Sequence, residues 1–349
     1  MLNKLEIFNL KSIDKASLKL APLTILTGAN SSGKSTVIQA IMLLIKHSSI
    51  NNQYSMEELV RYLDEFSSIR NKKQNAKEVF IEAIDNNKES HTVSITINGV
   101  KVNSSLSYLY ENKREQDNPE LLYLNANRIG AQDLVPISER KVGILGEFLF
   151  STFEKMKRQT LPAELVHFEG SKTIAYQLSQ WLSFITCTPS ELVTEKVSDQ
   201  VKVAFKVEDL DSNISPFNLG AGMSYVSKVL IICLIAKKGD LILLENPEIQ
   251  LHPKTQALLG VFLSFIASKG IQLIVETHCE HLINRIAYEI YEDRINTNDV
   301  VIHYKSSVSE SFLTLFIDEN GKFNDINGNV IGFPSGFFDA TLNELMDMR

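Results

Sequence analysis

Cysteine is scarce in this chain. Cys187, Cys233 and Cys279 are three residues among 349, too few and too scattered for a disulfide framework or a zinc knuckle, so a reducing compartment is expected. Positive charge is not in excess: 35 Lys+Arg against 42 Asp+Glu leave a net charge of −7. That excludes a uniformly basic nucleic-acid coat and leaves room for a local basic groove. Long apolar runs are absent as well. The longest, such as Val229–Ala236, fall far short of the roughly 20 residues of a membrane span, and MLNKLEIFNLKS lacks the apolar core of a signal peptide. No internal repeat and no sustained heptad pattern is visible. A folded, soluble, cytoplasmic chain without membrane contact is expected.

What is present is α/β patterning. LEIFNL, ASLKL and PLTILTG read as short strands, and STVIQAIMLLIKH as a helix burying Val37, Ile41, Leu44 and Ile45. A second helix is expected over Met56–Phe66, followed by alternating strands in KEVFIEAID, HTVSITING and KVNSSLSYLY. The segment Val135–Glu195, which holds Trp181, reads as mostly helical. Beyond it, the helix AGMSYVSKVLIICLIAKK, the strand DLILLE, the helix KTQALLGVFLSFIASK, the strand IQLIVE and the helix CEHLINRIAYEIYE alternate as parallel βα units do. The fold class is α/β, with mixed and parallel sheets.

Residues 28–35 read GANSSGKS, a full match to G-x-x-x-x-G-K-[ST] between a strand (TILT) and a helix. The pattern places the backbone of Gly28, Ala29, Asn30, Ser31, Ser32 and Gly33, with the helix start at Lys34, Ser35 and Thr36, around a β-phosphate. Lys34 is placed for the β- and γ-phosphates, and the Ser35 hydroxyl for Mg²⁺. A P-loop by itself leaves open a kinase, a GTPase, a AAA+ motor or an ABC-type head, and the missing N-K-x-D weighs against the GTPase.

The strand DLILLE ends in Glu245, an acid placed to hold Mg²⁺ beside Ser35. IQLIVE leads to Thr277 and His278, and a His at the tip of that strand is placed to contact a γ-phosphate. His252 fits a core or capping role. Upstream, NLGAGMSYV is a small-residue turn opening a helix, which in isolation is a helix cap.

Together, GANSSGKST, LGAGMS, LLENPEIQLHP and ETHCEHLINRI resemble the OLD-like and RecF/SMC-like branch of ABC ATPases. YLNANRIGA (Tyr123–Ala131) and GFPSGFFDATLNELM (Gly332–Met346) are similar to stretches in the same group. The resemblance implies an ABC-type P-loop head that takes ATP and Mg²⁺ and dimerises head to tail. Gly220, Gly222 and Ser224 then form a signature that binds the γ-phosphate held by a second copy. Glu245, Asn246, Glu248 and His278 are the implied catalytic positions, with Ser35 and Glu245 toward the metal. Asn246 stands where the family often has a catalytic Glu. An amide orients water but accepts no proton, so slow hydrolysis is expected, with Glu248 a possible substitute.

The resemblance also divides the chain into a two-lobed head (1–134 and 200–330), an inserted helical arm (135–199) and a C-terminal extension (331–349). Within that extension Phe337, Phe338, Leu342 and Leu345 are expected to dock on the head or on a partner. Lys155, Lys157 and Arg158, with Arg140 and Lys141 nearby, read as a solvated face, with a contact to phosphates or an acidic partner as the alternative. Arg128 is a candidate for the nucleotide, the opposing subunit or a structural ion pair, and Gln132 for a Mg²⁺-sensing glutamine. Asp209-Leu210-Asp211 is the only D-x-D near the signature and reads as an exposed turn, not a nuclease centre. No H-N-H cluster is present.

The implied role is a nucleotide-controlled sensor or scaffold for a separately encoded nuclease or toxin. It looks like the ATPase subunits of Septu-, retron- or PARIS-type anti-phage systems. A RecF-like DNA-repair ATPase and a non-hydrolysing scaffold are the alternatives, and DNA is a further candidate partner.

Overall fold

Period-two burial in the first strands sets one sheet, and uninterrupted apolar strands set the other. The computed structural model describes residues 1–48, 56–111, 118–207, 212–334 and 337. β1 (Leu2–Leu10) buries Leu2, Leu5, Ile7 and Leu10 and forms a hairpin with β2 (Ile13–Lys19). β3 (Leu23–Gly28), buried along its whole length, passes beneath to the larger sheet. There α1 (Lys34–Ser48) follows it, with Val37, Ile38, Ile41, Leu44 and Ile45 buried. β4 (Glu78–Asp85), β5 (Ser90–Thr96) and β6 (Gly99–Asn103) complete an antiparallel sheet of order β2-β1-β4-β5-β6.

The helix expected over Met56–Phe66 is broken. It becomes α2 (Glu57–Val60), a 3₁₀ turn (Arg61–Leu63) and α3 (Phe66–Ile69), because Glu65 is extended (φ −88°, ψ 123°). The break lets Leu59, Val60, Leu63 and Ile69 all reach the core.

β7 (Leu109–Tyr110) and β8 (Glu120–Leu124) begin the other edge of the large sheet. Its remaining strands are β12 (Leu241–Glu245), β13 (Gln272–Glu276), β14 (Val300–Lys305), β15 (Leu313–Ile317) and β16 (Phe323–Asn324). The order β16-β15-β14-β3-β13-β12-β8-β7 puts β3 between β14 and β13, all parallel. Both faces of β12 and β13 are covered. Leu241, Leu243 and Ile274 share a core with α1 and the antiparallel sheet, while Ile242, Leu244, Leu273 and Val275 face the helices of the second half. That two-sided burial is why DLILLE and IQLIVE read as continuous apolar runs.

The segment 135–199 differs from the expected helical arm. It holds β9 (Leu134–Pro136), α4 (Leu149–Met156), α5 (Ile174–Thr186) and β10 (Ser190–Val197), which pairs with β11 (Gln200–Val207). Left-handed glycines (Gly143 φ 81°, Gly146 φ 67°, Gly170 φ 115°) interrupt helix formation. Phe150, Phe153, Leu178, Trp181 and Ile185 share one core with α6 (Ala221–Leu234), α7 (Pro253–Ser268) and α8 (Glu280–Tyr291).

The Phe333 and Phe337 rings pack near Tyr304, with centroids 5.7 and 6.2 Å from it, so the start of the C-terminal extension docks on the head. Asp209, Asp211, Phe338, Leu342 and Leu345 lie outside the described residues. Among those described, no helix is long and apolar enough to cross a membrane.

Candidate functional site

The carboxyl ends of the parallel strands β3, β13 and β12 lie side by side, with Glu245 in register with Glu276 and Glu276 with Leu26. An open crevice beyond such strand ends is where α/β sheets place ligands. Gly28 leaves β3 at φ 128°, and a β-carbon there would sit 2.1 Å from the Lys305 carbonyl oxygen, so only glycine passes β14. That backbone contact is fixed by the Ala29 N–H, which donates to the same carbonyl (3.0 Å). Gly33 (φ 109°) faces the Ser12 hydroxyl.

Lys34, 3% exposed, directs its ammonium to the carbonyls of Gly28 (3.1 Å) and Ala29 (2.6 Å). Burial lowers its pKa and the Glu276 charge opposes that shift. The Ser35 hydroxyl donates to Glu276 Oε1 (3.0 Å). Burial pushes the Glu276 carboxyl up to about 7, Glu245 and Glu248 push it further, and Ser35 and Lys34 resist.

Glu245 does not touch Ser35. Its Oε1 accepts from the Tyr123 hydroxyl (3.0 Å) and its Oε2 from the Ala126 N–H (3.2 Å), both on the β8 side. The acid in direct contact with Ser35 is thus Glu276, at the end of β13, which stands between β12 and β3. Asn246 takes a left-handed conformation (φ 45°); its N–H donates to the Glu276 carbonyl (2.7 Å) and its Oδ1 has no partner. Glu248 accepts from the His278 N–H (3.1 Å) through Oε1, while its Oε2 is buried without a partner.

His278 is exposed at the P-loop, its pKa lowered by burial of the ring and by Lys34 and held up by a bond to the Gly28 backbone. His252 caps α7, accepting from the Lys254 N–H (3.3 Å).

Arg128 is buried, 3% exposed. Its guanidinium donates to the carbonyls of Glu245 (3.0 Å), Asn246 (2.9 Å), Pro247 (3.3 Å) and Asn125 (3.3 Å), clamping the turn that presents the acids. Gln132 Oε1 accepts from the buried Lys228 (2.6 Å). The arm cations are largely committed within the chain. Arg140 pairs with Glu111, Lys141 with Glu120 and Lys157 with Glu154, and Lys155 donates to the Ser138 carbonyl, leaving Arg158 exposed.

At α6 the signature residues separate. Gly220 is the exposed N-cap, with no side-chain cap and, among the described residues, nothing within 4 Å of a β-carbon built on it. Gly222 seats the helix on the Gln250 carbonyl, 2.7 Å from where its β-carbon would be. Ser224 is buried, its hydroxyl without a partner, so its side chain is off the open face.

Beside the P-loop lies a cavity of about 760 Å³ whose lining includes Lys11, Lys15, Arg70, Lys72, Lys73 and Lys305, a setting for an anionic ligand. Sequence reasoning missed β14 with its Lys305, and it missed Glu276. The signal for Glu276 was present, since IQLIVE, like LILLE, is a buried strand ending in an acid.

The model of the family "AAA ATPase domain" matches residues 1–141, which hold the P-loop. That of "AAA domain, putative AbiEii toxin, Type IV TA system" matches 189–284, which hold the α6 start, β12 and β13. No curated protein matches the chain. Among solved structures, an SMC head bound to the C-terminal winged-helix domain of ScpA superposes with a TM-score of 0.56 at 13% identity, covering 91% of this chain and 98% of that one.

The fold is that of an ABC-type P-loop ATPase head. The SMC head domain from Thermotoga maritima is similar to this head with a TM-score of 0.52 at 12% identity, over 89% of this chain and 98% of that one. The Smc head with an extended coiled coil, bound to the C-terminal domain of ScpA and derived from Pyrococcus furiosus, gives 0.54 at 12%, over 100% and 99%. The buried Glu276 Oε2, without a partner among the described residues in a carboxylate that meets Ser35, fits a hard divalent cation.

Proposed function

We propose that the chain binds ATP with Mg²⁺ at the P-loop and hydrolyses it slowly in a head-to-tail dimer. In that dimer the exposed start of α6 on the second copy closes over the γ-phosphate. The observation that carries this reading is the split site. The P-loop and its acids are assembled within one chain, while Gly220, the exposed N-cap of α6, has no side-chain cap and, among the described residues, nothing within 4 Å of its β-carbon position. Mg²⁺, held by Ser35 and an adjoining carboxylate, would neutralise phosphate charge. Lys34 would leave the carbonyls of Gly28 and Ala29 for the phosphates, and His278 stands at the rim to read the terminal one. Asn246 can orient a water but not take its proton, which removes a contribution of about 10²–10⁴ in rate.

Nucleotide occupancy then sets how tightly two copies hold, and through them how a separately encoded nuclease or toxin is restrained in anti-phage defence. The toxin–antitoxin family name matched over 189–284 supports that role. The SMC-head likeness favours a second reading, a RecF-like repair ATPase, which requires ATP-dependent duplex binding by the protein alone.

Mass in solution and ATP turnover, measured with and without ATP for wild type and Lys34→Ala, test the proposal. Wild type is expected to dimerise with ATP and turn it over slowly, and Lys34→Ala to lose both by at least about 100-fold. A dimer indifferent to ATP and to Lys34 would sink it.

A further inference from the structure

Of the three acids at the strand ends, only Glu276 is in contact with the P-loop serine. Its Oε1 accepts the Ser35 hydroxyl at 3.0 Å, and its Oε2 has no hydrogen-bond partner although the residue is 6% exposed. Glu248, 7% exposed, also has an unpartnered Oε2. Both Glu245 oxygens are occupied by Tyr123 and Ala126 on the far side of β12. The Lys34 ammonium, the cation that neutralises part of this charge, is directed to the Gly28 and Ala29 carbonyls. Buried carboxylate oxygens without donors are costly, and a hard divalent cation relieves that cost with oxygen ligands alone.

We infer that Glu276 is the carboxylate that coordinates Mg²⁺ together with Ser35, and that Glu245 instead holds the β8 end through Tyr123 and Ala126. The inference rests on the nucleotide reading above. β13 is the neighbour of β3, so an acid at its tip is one strand nearer the P-loop than an acid in register on β12.

The test separates metal from nucleotide. ATP affinity of the full chain is measured in EDTA by calorimetry, and Mn²⁺ affinity of the ATP-loaded protein by electron paramagnetic resonance. Glu276→Gln keeps the Ser35 hydrogen bond and carries no buried charge, so folding is not at risk. It is expected to weaken Mn²⁺ binding at least tenfold while ATP affinity in EDTA stays within threefold of wild type. Glu276→Asp is expected to restore part of the loss, and Glu245→Gln to bind Mn²⁺ within threefold of wild type. Wild-type Mn²⁺ affinity in Glu276→Gln, or a larger loss in Glu245→Gln, overturns the inference and leaves the nucleotide reading standing. A wild type that binds no ATP in EDTA or with Mn²⁺ overturns both.

Discussion

The P-loop and the start of α6 are both glycine turns that open a helix, and their surroundings are opposite. At Gly28 the chain leaves β3 at φ 128° with the Lys305 carbonyl 2.1 Å from any β-carbon. At Gly220 the backbone angles (φ −57°, ψ 136°) suit any residue, and nothing lies within 4 Å. The described residues explain the first glycine and give no steric reason for the second; in the head-to-tail dimer proposed above, Gly220 is where the second copy would come close.

The largest effect expected from this contrast is at Gly28. Gly28→Ala forces the β3 exit away from β14 and adds a side chain at a left-handed angle, so ATP affinity should fall at least 100-fold. Stability should fall by about 2–4 kcal/mol. Calorimetry and urea melts check both, and an alanine variant that binds ATP normally would remove the structural reason given for this glycine.

A smaller and more pointed effect belongs to Gly220→Asp. Aspartate is a good N-cap, so the monomer should be unchanged or a few tenths of a kcal/mol more stable. ATP-dependent dimerisation should nevertheless weaken about tenfold or more, because a carboxylate would meet a γ-phosphate at the helix start. Sedimentation with ATP beside a thermal melt separates the two. If dimerisation survives, the open glycine has another explanation.

The same contrast marks what the sequence made legible. GANSSGKS was readable because phosphate binding constrains a local run of residues, and the parallel strands were readable because burial on both faces leaves continuous apolar runs. The β13 acid was overlooked because its role comes from strand order: VVIHYK and IQLIVE flank β3 in space but lie far from it in the chain. The 135–199 segment misled because Phe150, Phe153 and Trp181 give helix-like apolar spacing, while Gly143 and Gly146 before α4 and Gly170 before α5 fix turns that no periodicity records. Arg128 was visible as a candidate, yet its partners are backbone carbonyls of a turn about 120 positions away.

A further test lies along α6, where the helix is closed instead of open. Lys228 is fully buried, donating to the Ile129 carbonyl (2.7 Å) and Gln132 Oε1 (2.6 Å), with its ammonium 5.1 Å from the Phe150 ring centroid. Burial lowers its pKa to about 7, Glu147 resists that shift and Arg128 reinforces it. The unfolded chain keeps this proton up to its ordinary value of 10.5. Between 7 and 10.5 the unfolded state therefore binds more protons, and stability rises with pH across the window. From pH 7 to pH 9 the rise from this one group is at most about 2–3 kcal/mol. Lys228→Met removes the titration, so its stability should change less with pH over that interval. It also leaves Gln132 and the Ile129 carbonyl without their donor, a loss of about 1–3 kcal/mol that is present at every pH and so cannot mimic the change in slope. Urea melts at pH 7 and pH 9 on both proteins decide it: equal slopes would mean that Lys228 keeps an ordinary pKa inside the core, and that the α6 interior is wetter than its packing against Phe150 implies.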